Sequence, residues 1–317
     1  MNNPILLIFE LLATLLVLIP LNGLLINSLG YLGQRLKFSR EFIIVLIVGF
    51  AVSLPELLIT INSWFFGQPE LALGNAIGSG IVMISLVTGI FAIFNKNFRT
   101  NKIFSSNQLV FMSLSATLNI ILALDGTISR VDGAILLIVY GIYIYTLVNH
   151  KNNFSIESHL KFQKQKTVLN IIVFVLALAG ASIAAYFVNS ISREIFINSA
   201  FPLFFIGLII VAPFGAIPEL LFELQLSNKG KSSLALSELF TSLVTNTTLI
   251  IGLTALVNPF NITTNILYYF AALYFVVLLA IFNVLVHSKN ELDWKEGLLL
   301  LLSFLVFIIS SMILVFQ

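Results

Sequence analysis

Apolar stretches long enough to cross a bilayer as helices, about 20 residues each, recur along almost the whole chain. With 59% hydrophobic and 9% charged residues among 317, the sequence has too little polar surface to cover a soluble globular domain. The stretches are too long, and lack the alternating polarity, for the strands of a membrane barrel. The sequence therefore predicts an all-α polytopic membrane protein with ten transmembrane helices. The predicted segments span residues 4–28, 42–66, 71–94, 106–124, 131–149, 168–189, 197–226, 233–257, 264–286 and 297–316.

Basic residues are distributed unevenly among the loops that join these segments. Of the 16 Lys and Arg residues, all but Arg130 and Arg193 follow an odd-numbered segment. Cytoplasmic loops of membrane proteins carry the excess of Lys and Arg. We therefore expect the odd-to-even loops in the cytoplasm, both termini on the outer side, and a multi-pass location in the cell (plasma) membrane.

A Pro-Glu-Leu-Leu string occurs twice inside the apolar segments, at Pro55–Leu58 and at Pro218–Leu221. Proline frees the carbonyl four residues earlier, here Ala51 and Phe214, and an ionised Glu near mid-bilayer costs about 3 kcal/mol or more. Two such unfavourable strings point to function, the structural alternative being a kinked helix with a protonated Glu. We expect helix breaks at Pro55, at Pro218 and at the neighbouring Pro213.

The two strings belong to a longer internal repeat. The offset that carries Pro55–Leu58 onto Pro218–Leu221 also carries Leu71–Leu73 onto Leu234–Leu236 without a gap, and we call it the repeat offset. One constant offset over about forty residues indicates a duplication. Since it carries segments 2 and 3 onto segments 7 and 8, the unit has five helices, and its second copy enters the membrane from the opposite face. The predicted units are a first five-helix repeat at 1–149, a cytoplasmic linker at 150–166 and a second five-helix repeat at 167–317, with the most similar stretches at 48–92 and 211–255.

Inverted repeats place a transport site near the middle of the membrane, where interrupted helices of the two halves meet. Glu56 and Glu219 are then related by a pseudo-two-fold axis and are expected to face each other. Ca²⁺ takes roughly six to eight oxygen ligands, and two carboxylates neutralise its charge while carbonyls, hydroxyls, amides and water complete the shell. Because carboxyl groups also carry protons, the same two Glu could exchange a divalent cation for H⁺.

These residues resemble the cation/calcium exchanger superfamily, which includes sodium/calcium exchangers and calcium/proton exchangers. The first repeat reads S-L-P-E at Ser53–Glu56 and G-N-A-I-G-S at Gly74–Ser79, close to the family strings G-T-S-L-P-E and G-N-x-x-G-S-N. The second repeat reads A-I-P-E at Ala216–Glu219 and S-E-L-F-T-S at Ser237–Ser242. The resemblance implies antiport by alternating access, with helices 2, 3, 7 and 8 as a fixed core and helices 1 and 6 as the moving gate.

The resemblance also implies a set of ligands, with Glu56 and Glu219 as the central metal ligands. The chain departs from the family pattern at Val52, Gly215 and Ala216, where hydroxyl residues are replaced, and at Met83, where the family carries Asn or Asp. These departures leave sodium and proton coupling as open alternatives. The candidate cation-binding residues are Glu56, Glu219, Ser79, Ser242, Asn246 and Ser53, with the backbone carbonyls of Ala51 and Phe214.

Glu223, Glu238 and Asn75 are three further candidates for a proton relay or for accessory ligands. Glu223 lies one turn after Glu219, and its structural alternative is a hydrogen bond to another helix. Glu238 stands where the first repeat has Asn75, and its structural alternative is a carboxylate at a helix entry, favoured by the helix dipole.

Other classes of function are disfavoured by the residues that the sequence lacks. The chain has no Cys, its three His fall in predicted loops and its aspartates fall at helix ends or in loops, so an enzyme is not expected, nor is a cofactor. The net charge of +2 gives no reason to expect a nucleic-acid partner. Expected partners are inorganic cations and the lipid bilayer, and homodimerisation stays open. The sequence thus predicts a secondary-active antiporter that exports Ca²⁺ in exchange for Na⁺ or H⁺, the alternatives being a degenerate, non-transporting membrane scaffold or an antiporter for another divalent cation.

Overall fold

The computed structural model describes residues 4–35, 49–94, 98–99, 106–149, 167–199, 201–228, 232–262, 266–289 and 291–316. Within these residues the protein is helical apart from short loops and four two-residue strands. Seven helical stretches in this part of the chain are long and apolar enough to cross a membrane. They are Ile5–Arg35, Pro69–Phe94, Thr167–Asn198, Leu203–Asn228, Ala235–Val257, Ile266–Val286 and Trp294–Val315.

The first half of the chain combines one long helix with helices that are broken or widened. In chain order its elements are α1 (Pro4–Arg35), α2 (Gly49–Val52), α3 (Leu54–Phe65), α4 (Pro69–Val82), the π-helical turn π1 (Met83–Val87), α5 (Thr88–Phe94), β1 (Phe98–Arg99), α6 (Ser106–Leu122), a 3₁₀ turn (Ala123–Asp125), β2 (Thr127–Ile128) and α7 (Arg130–Asn149).

The second half follows the same plan. Its elements are α8 (Thr167–Asn198), α9 (Leu203–Phe205), π2 (Ile206–Val211), α10 (Ala212–Gly215), α11 (Ile217–Asn228), α12 (Ser232–Val244), π3 (Thr245–Ile250), α13 (Ile251–Val257), β3 (Phe260–Asn261), α14 (Ile266–Lys289), β4 (Glu291–Leu292) and α15 (Trp294–Val315).

The irregularities of the two halves recur at the repeat offset. This offset maps α2 and α3, which are separated at Ser53, onto α10 and α11, which are separated at Ala216, with identical bounds. It also maps α5 onto α13 and places π1 within π3. The duplication is therefore visible in the backbone geometry as well as in the sequence.

Several helices extend beyond the segments that hydropathy marks. Predicted segments 1 and 6 end at 28 and 189, whereas α1 continues to Arg35 and α8 to Asn198. Predicted segment 7 begins at 197, but the chain enters α9 only at Leu203. Polar residues such as Arg193 and Glu194 do not end a helix, because the backbone hydrogen bonds continue through them. Hydropathy therefore marks apolar length and not the helix ends.

Two antiparallel strand pairs connect the halves. β1 pairs with β4, with Phe98 opposite Leu292, and β2 pairs with β3, with Thr127 opposite Asn261. To within one residue, the repeat offset carries β1 onto β3 and β2 onto β4. It therefore exchanges one strand pair for the other, as a two-fold axis relating the halves would.

The long helices α1 and α8 pack side by side. Leu11 and Leu15 of α1 share a buried cluster with Ala181 and Ala185 of α8, whose small side chains let the helices approach closely. The opposite faces of both helices expose large apolar side chains, as lipid-facing surfaces do. Together with α14 and α15, whose outer faces are equally apolar, they give the protein the surface of a multi-pass membrane protein.

Candidate functional site

Each Pro-Glu pair lies in the first turn of a helix. Pro55 and Glu56 follow Leu54, the first residue of α3, and Pro218 and Glu219 follow Ile217, the first residue of α11. Proline is tolerated there because the first backbone N–H groups of a helix have no intrahelical partner. The break therefore falls just before each proline, and each Glu lies at the positive end of a helix dipole.

The residues that precede the breaks belong to the short helices α2 and α10. Ala51 and Phe214 lie in these helices. Their carbonyls receive no hydrogen bond from Pro55 and Pro218, because proline has no backbone N–H. Pro213 lies in the first turn of α10, and the backbone stays helical from Leu203 to Gly215. At Pro213 the structure thus has a widened turn, π2, upstream of the proline instead of an interruption.

A chain of three side chains connects the two halves at the breaks. Ser242 Oγ donates a hydrogen bond to Glu219 Oε1 over 2.6 Å. Ser53 Oγ lies 2.8 Å from Ser242 Oγ. Because Ser242 has only one hydroxyl proton, which points to Glu219, Ser53 is the donor to Ser242. The first half thereby orients a carboxylate of the second.

The remaining side-chain oxygens of the candidate site, and one amide nitrogen, have no hydrogen-bond partner within the described residues. They are both carboxyl oxygens of Glu56, Oε2 of Glu219, Oγ of Ser79, and Oδ1 and Nδ2 of Asn246. Glu56 and Glu219 are 2% and 0% exposed. A buried polar group without a partner costs about 1–3 kcal/mol. The site therefore retains unused oxygen ligands of the kind that hard cations prefer.

The two halves differ at Ser79, the counterpart of Ser242. The repeat offset turns the contact between Ser53 and Ser242 into one between Ala216 and Ser79. Since Ala216 has no hydroxyl group, no equivalent hydrogen bond forms, and Ser79 Oγ remains without a partner among the described residues. Glu219 is thus held by a serine, whereas Glu56 is not.

Four buried glutamates interact electrostatically at this place. Glu56 interacts with Glu219 and Glu238, and Glu223 interacts with the same two residues. The buried polar residues of the described part of the chain include no Lys, Arg or His. The negative charge of these carboxylates is therefore not compensated by a basic side chain there.

The candidate site is not a closed cage of metal ligands. Among the residues that the structure describes, no three His, Cys, Asp or Glu side chains form a metal-binding group. Two carboxylates supplemented by hydroxyl, amide and carbonyl oxygens make a more open arrangement. A transported ion requires such a site, because its binding must be weak enough for release.

Two glycines bring α4 close to the helix that precedes the second break. A Cβ on Gly78 would lie 2.7 Å from the carbonyl oxygen of Leu208, and one on Gly74 would overlap the carbonyl oxygen of Phe204. Glycines four residues apart let the backbones of two membrane helices touch. Asn75 and Ser79 follow these glycines directly. The contact between the two backbones therefore fixes the position of both side chains along the neighbouring helix.

Two asparagines that were not predicted as site residues bind backbone carbonyls near the first break. Asn22 of α1 donates to the carbonyl of Val52 over 3.2 Å. Asn189 of α8 donates to the carbonyl of Ile59 over 3.0 Å and accepts a 2.6 Å hydrogen bond from Ser63. A buried Asn in an apolar helix signals a polar partner, but the sequence does not identify that partner.

Comparison with known proteins agrees with this geometry. The sequence profile of the sodium/calcium exchanger protein family matches residues 6–149 and 169–313. CaxA of Alkalimonas amylolytica, provisionally named an antiporter, is 24% identical over 266 residues, which cover 78% of this chain and 82% of that protein.

Two solved structures share the fold. The H⁺/Ca²⁺ exchanger CAX superimposes with a TM-score of 0.76 at 18% identity, covering 100% of this chain and 86% of its own. The sodium-calcium exchanger NCX_Mj superimposes with a TM-score of 0.65 at 19% identity, covering 96% and 99%. At these identities the likeness concerns the fold alone. Because the family profile covers both halves of the sequence, the resemblance predicted from the two repeats is confirmed, and the chain belongs to the sodium/calcium exchanger protein family.

Proposed function

We propose that the protein is a secondary-active antiporter that binds Ca²⁺ between Glu56 and Glu219 and exports it in exchange for Na⁺ or H⁺. The observation that carries this proposal is the pair of buried carboxylates, one at each helix break, with three of their four oxygens lacking partners within the described residues. The family to which the chain belongs is that of the sodium/calcium exchanger proteins, which supports calcium as the substrate.

The ligand shell that we propose draws on both halves. Glu56 supplies two oxygens and Glu219 supplies Oε2, and Ser79 and Asn246 add two more that have no partner among the described residues. Ca²⁺ takes roughly six to eight oxygens, so carbonyls and water complete the shell. The further oxygens that we assign to the shell are those of Ser53, Ser242 and the carbonyls of Ala51 and Phe214. Ca²⁺ and the counter-ion are substrates, and the proposed mechanism requires no cofactor.

The topology that we propose has ten membrane-crossing segments in two inverted five-helix repeats, with both termini outside the cell membrane. The segments beyond the seven long apolar stretches are those of α2 with α3, of α6 and of α7. In a chain of ten crossings, the loops that carry β1 and β4 lie on one side and the loops that carry β2 and β3 lie on the other. The observed pairing of β1 with β4 and of β2 with β3 supports this arrangement.

The pair formed by α1 and α8 is the moving element in this proposal. These helices pack along each other, and they contact the helices at the first break through a shared buried cluster that includes Ala51 and Ile59 and through the hydrogen bonds of Asn22 and Asn189. A shift of the pair changes access to Glu56 and Glu219 from one side of the membrane to the other, while the core helices keep the ligands in place.

The test is ⁴⁵Ca²⁺ uptake into proteoliposomes that contain the purified protein. An imposed Na⁺ gradient is compared with an imposed pH gradient, with protein-free liposomes and a functional exchanger as controls. Uptake driven by one gradient establishes antiport and identifies the counter-ion. Absence of uptake under both gradients, with an active control exchanger, overturns the calcium proposal and favours another divalent cation or a non-transporting scaffold.

Replacement of Ser242 by Ala is expected to weaken calcium binding. The variant loses the 2.6 Å hydrogen bond to Glu219, and a hydrogen bond to a charged group contributes about 1.5–3 kcal/mol, or roughly 10- to 100-fold in affinity. Ser53→Ala removes the hydroxyl that bonds Ser242 and not Glu219 itself, so it should lower the calcium affinity less, by about 5-fold. The calcium concentration for half-maximal uptake measures both effects. A larger effect for Ser53→Ala than for Ser242→Ala would contradict the assigned direction of the hydrogen bonds.

A further inference from the structure

A second pair of buried carboxyl groups lies beside the proposed calcium site. Glu223 is on α11, one turn after Glu219, and Glu238 is on α12, one turn before Ser242. The two helices pack against each other. Glu223 and Glu238 are 1% and 0% exposed, and none of their four carboxyl oxygens has a hydrogen-bond partner within the described residues. Two polar side chains are thus buried without a hydrogen bond in the described part of the chain that would explain them structurally.

The pair is displaced to one side of the calcium site. Because α11 and α12 follow each other in the chain and pack together, the step of one turn from Glu219 to Glu223 and the step of one turn from Ser242 back to Glu238 both run toward residues 229–231, which join the helices. The distribution of basic residues predicts that this loop lies in the cytoplasm. The pair therefore lies between the calcium site and the predicted cytoplasmic side.

The pair exists in one half only. The repeat offset relates Glu223 to Thr60 and Glu238 to Asn75, both of which are buried and neutral. The second half thus carries two carboxyl groups that the fold does not require, since the first half builds the same helices without them. Their asymmetry points to a ligand that approaches from one side.

The titratable groups that interact with the pair are acidic or phenolic. They are Glu219, which interacts with both members, Glu56, which interacts with Glu238, and Tyr143 of α7, which also interacts with Glu238. Tyr143 hydrogen-bonds Thr241 at 2.9 Å, one turn from Glu238. α1 packs on α11 and carries Tyr31 and Arg35 in its last turns, and neither of them contributes to the interactions of Glu223.

We infer that Glu223 and Glu238 form the binding site of the counter-transported monovalent cation, Na⁺ or H⁺, separate from the calcium site. Glu56 and Glu219 already match the charge of one Ca²⁺, and the break residues Val52, Gly215 and Ala216 offer no side-chain oxygen for a further cation. The second pair supplies four unpartnered carboxyl oxygens and a negative charge for it. This inference rests on the proposed antiport function.

The electrostatic interaction with Glu219 couples cation binding at Glu223 and Glu238 to calcium binding at the central site. When Glu223 and Glu238 are ionised and unoccupied, their charge strengthens the attraction of the central site for Ca²⁺. When monovalent cations occupy the pair, that attraction is neutralised and Ca²⁺ is released more readily. Reciprocity of binding free energies then requires that Ca²⁺ in turn disfavours the monovalent cation, which is the condition for exchange.

The test compares two modes of transport in proteoliposomes. Gradient-driven ⁴⁵Ca²⁺ uptake needs the counter-ion, whereas exchange of ⁴⁵Ca²⁺ for unlabelled Ca²⁺ without a gradient needs only the calcium site. For Glu223→Gln with Glu238→Gln, we expect gradient-driven uptake to fall at least about 10-fold, while calcium-for-calcium exchange at saturating Ca²⁺ falls less than about 3-fold. The Na⁺ and pH arms identify the cation, and the exposed Glu10→Gln is the matched control. Each single substitution is measured in the same way in case the double variant is not monodisperse in detergent.

A second readout measures binding directly. Thermal unfolding of the detergent-solubilised protein is followed while Na⁺ is titrated, or the pH is lowered, in the absence of Ca²⁺. The wild type should be stabilised by the coupling cation and the variant should not, whereas stabilisation by Ca²⁺ should persist in both.

The outcomes separate this inference from the proposed function. Parallel loss of both transport modes assigns the pair to the calcium site and overturns the inference, as does gradient-driven uptake within 2-fold of the wild type. If the wild type shows neither mode, the proposed function itself fails and the inference fails with it.

Discussion

Replacement of Glu219 by Gln is expected to reduce gradient-driven ⁴⁵Ca²⁺ uptake at least about 100-fold. The substitution keeps the size of the side chain, and its amide oxygen can still accept the hydrogen bond from Ser242. It removes half of the negative charge that compensates the bound cation, and an uncompensated buried charge costs about 3–5 kcal/mol, which is roughly a factor of 100 to 1,000 or more. The measurement is the initial rate of uptake at equal amounts of reconstituted protein.

Glu56→Gln should have an effect of the same order, because Glu56 contributes two oxygens without any partner among the described residues. Glu10→Gln makes the same chemical change on an exposed part of α1 and should leave the rate within about 2-fold, as surface substitutions do. An uptake rate for Glu219→Gln similar to that of Glu10→Gln would show that the buried pair does not carry the cation.

The repeat and the breaks could be predicted because they depend on local chemistry. Proline has one favourable place in a helix, its first turn, so Pro55 and Pro218 mark where α3 and α11 begin. The constant offset then transfers each local feature from one half to the other. The family followed from the strings around Glu56 and Glu219, and the match of the family profile to both halves confirms it.

The widened turns could not be predicted from the sequence. π1, π2 and π3 lie in stretches that are buried on most sides, so no apolar stripe marks the number of residues per turn. Hydrophobic periodicity distinguishes helix types only where one face is polar. Pro213, expected to break its helix, is instead accommodated downstream of π2.

The asymmetry of the hydrogen bonds also required the structure. The sequence predicts that Ser79 and Ser242 are equivalent, since both occupy the same position of the repeat. Among the described residues, Ser242 is hydrogen-bonded to a carboxylate and Ser79 is not, and Ser53, the second partner of Ser242, comes from the other half. A contact between residues 189 positions apart depends on how the halves meet, which a local pattern does not contain.

Replacement of Gly74 by Ala is expected to destabilise the protein by about 3 kcal/mol, at the upper end of the usual cost of overpacking. The added methyl group would overlap the carbonyl oxygen of Phe204 and would lie 3.0 Å from its carbonyl carbon. Both atoms belong to the backbone, so no side-chain rotation relieves the contact. The helices must separate instead, which displaces Asn75 and Ser79 from the second half. The measurements are the thermal unfolding temperature in detergent and the rate of ⁴⁵Ca²⁺ uptake, both of which should fall.

Gly141→Ala is the matched control, because a Cβ at Gly141 of α7 would meet no atom within 4 Å. Alanine is the better helix former by about 1 kcal/mol, so this variant should be as stable as the wild type or more stable. Equal unfolding temperatures for the two variants would mean that α4 and α9 are not in backbone contact. If Gly74→Ala is stable but has lost uptake, the close contact of α4 with α9 is needed for transport and not for folding. In the proposed mechanism the contact keeps Ser79 level with Glu56 along the membrane normal while α1 and α8 move.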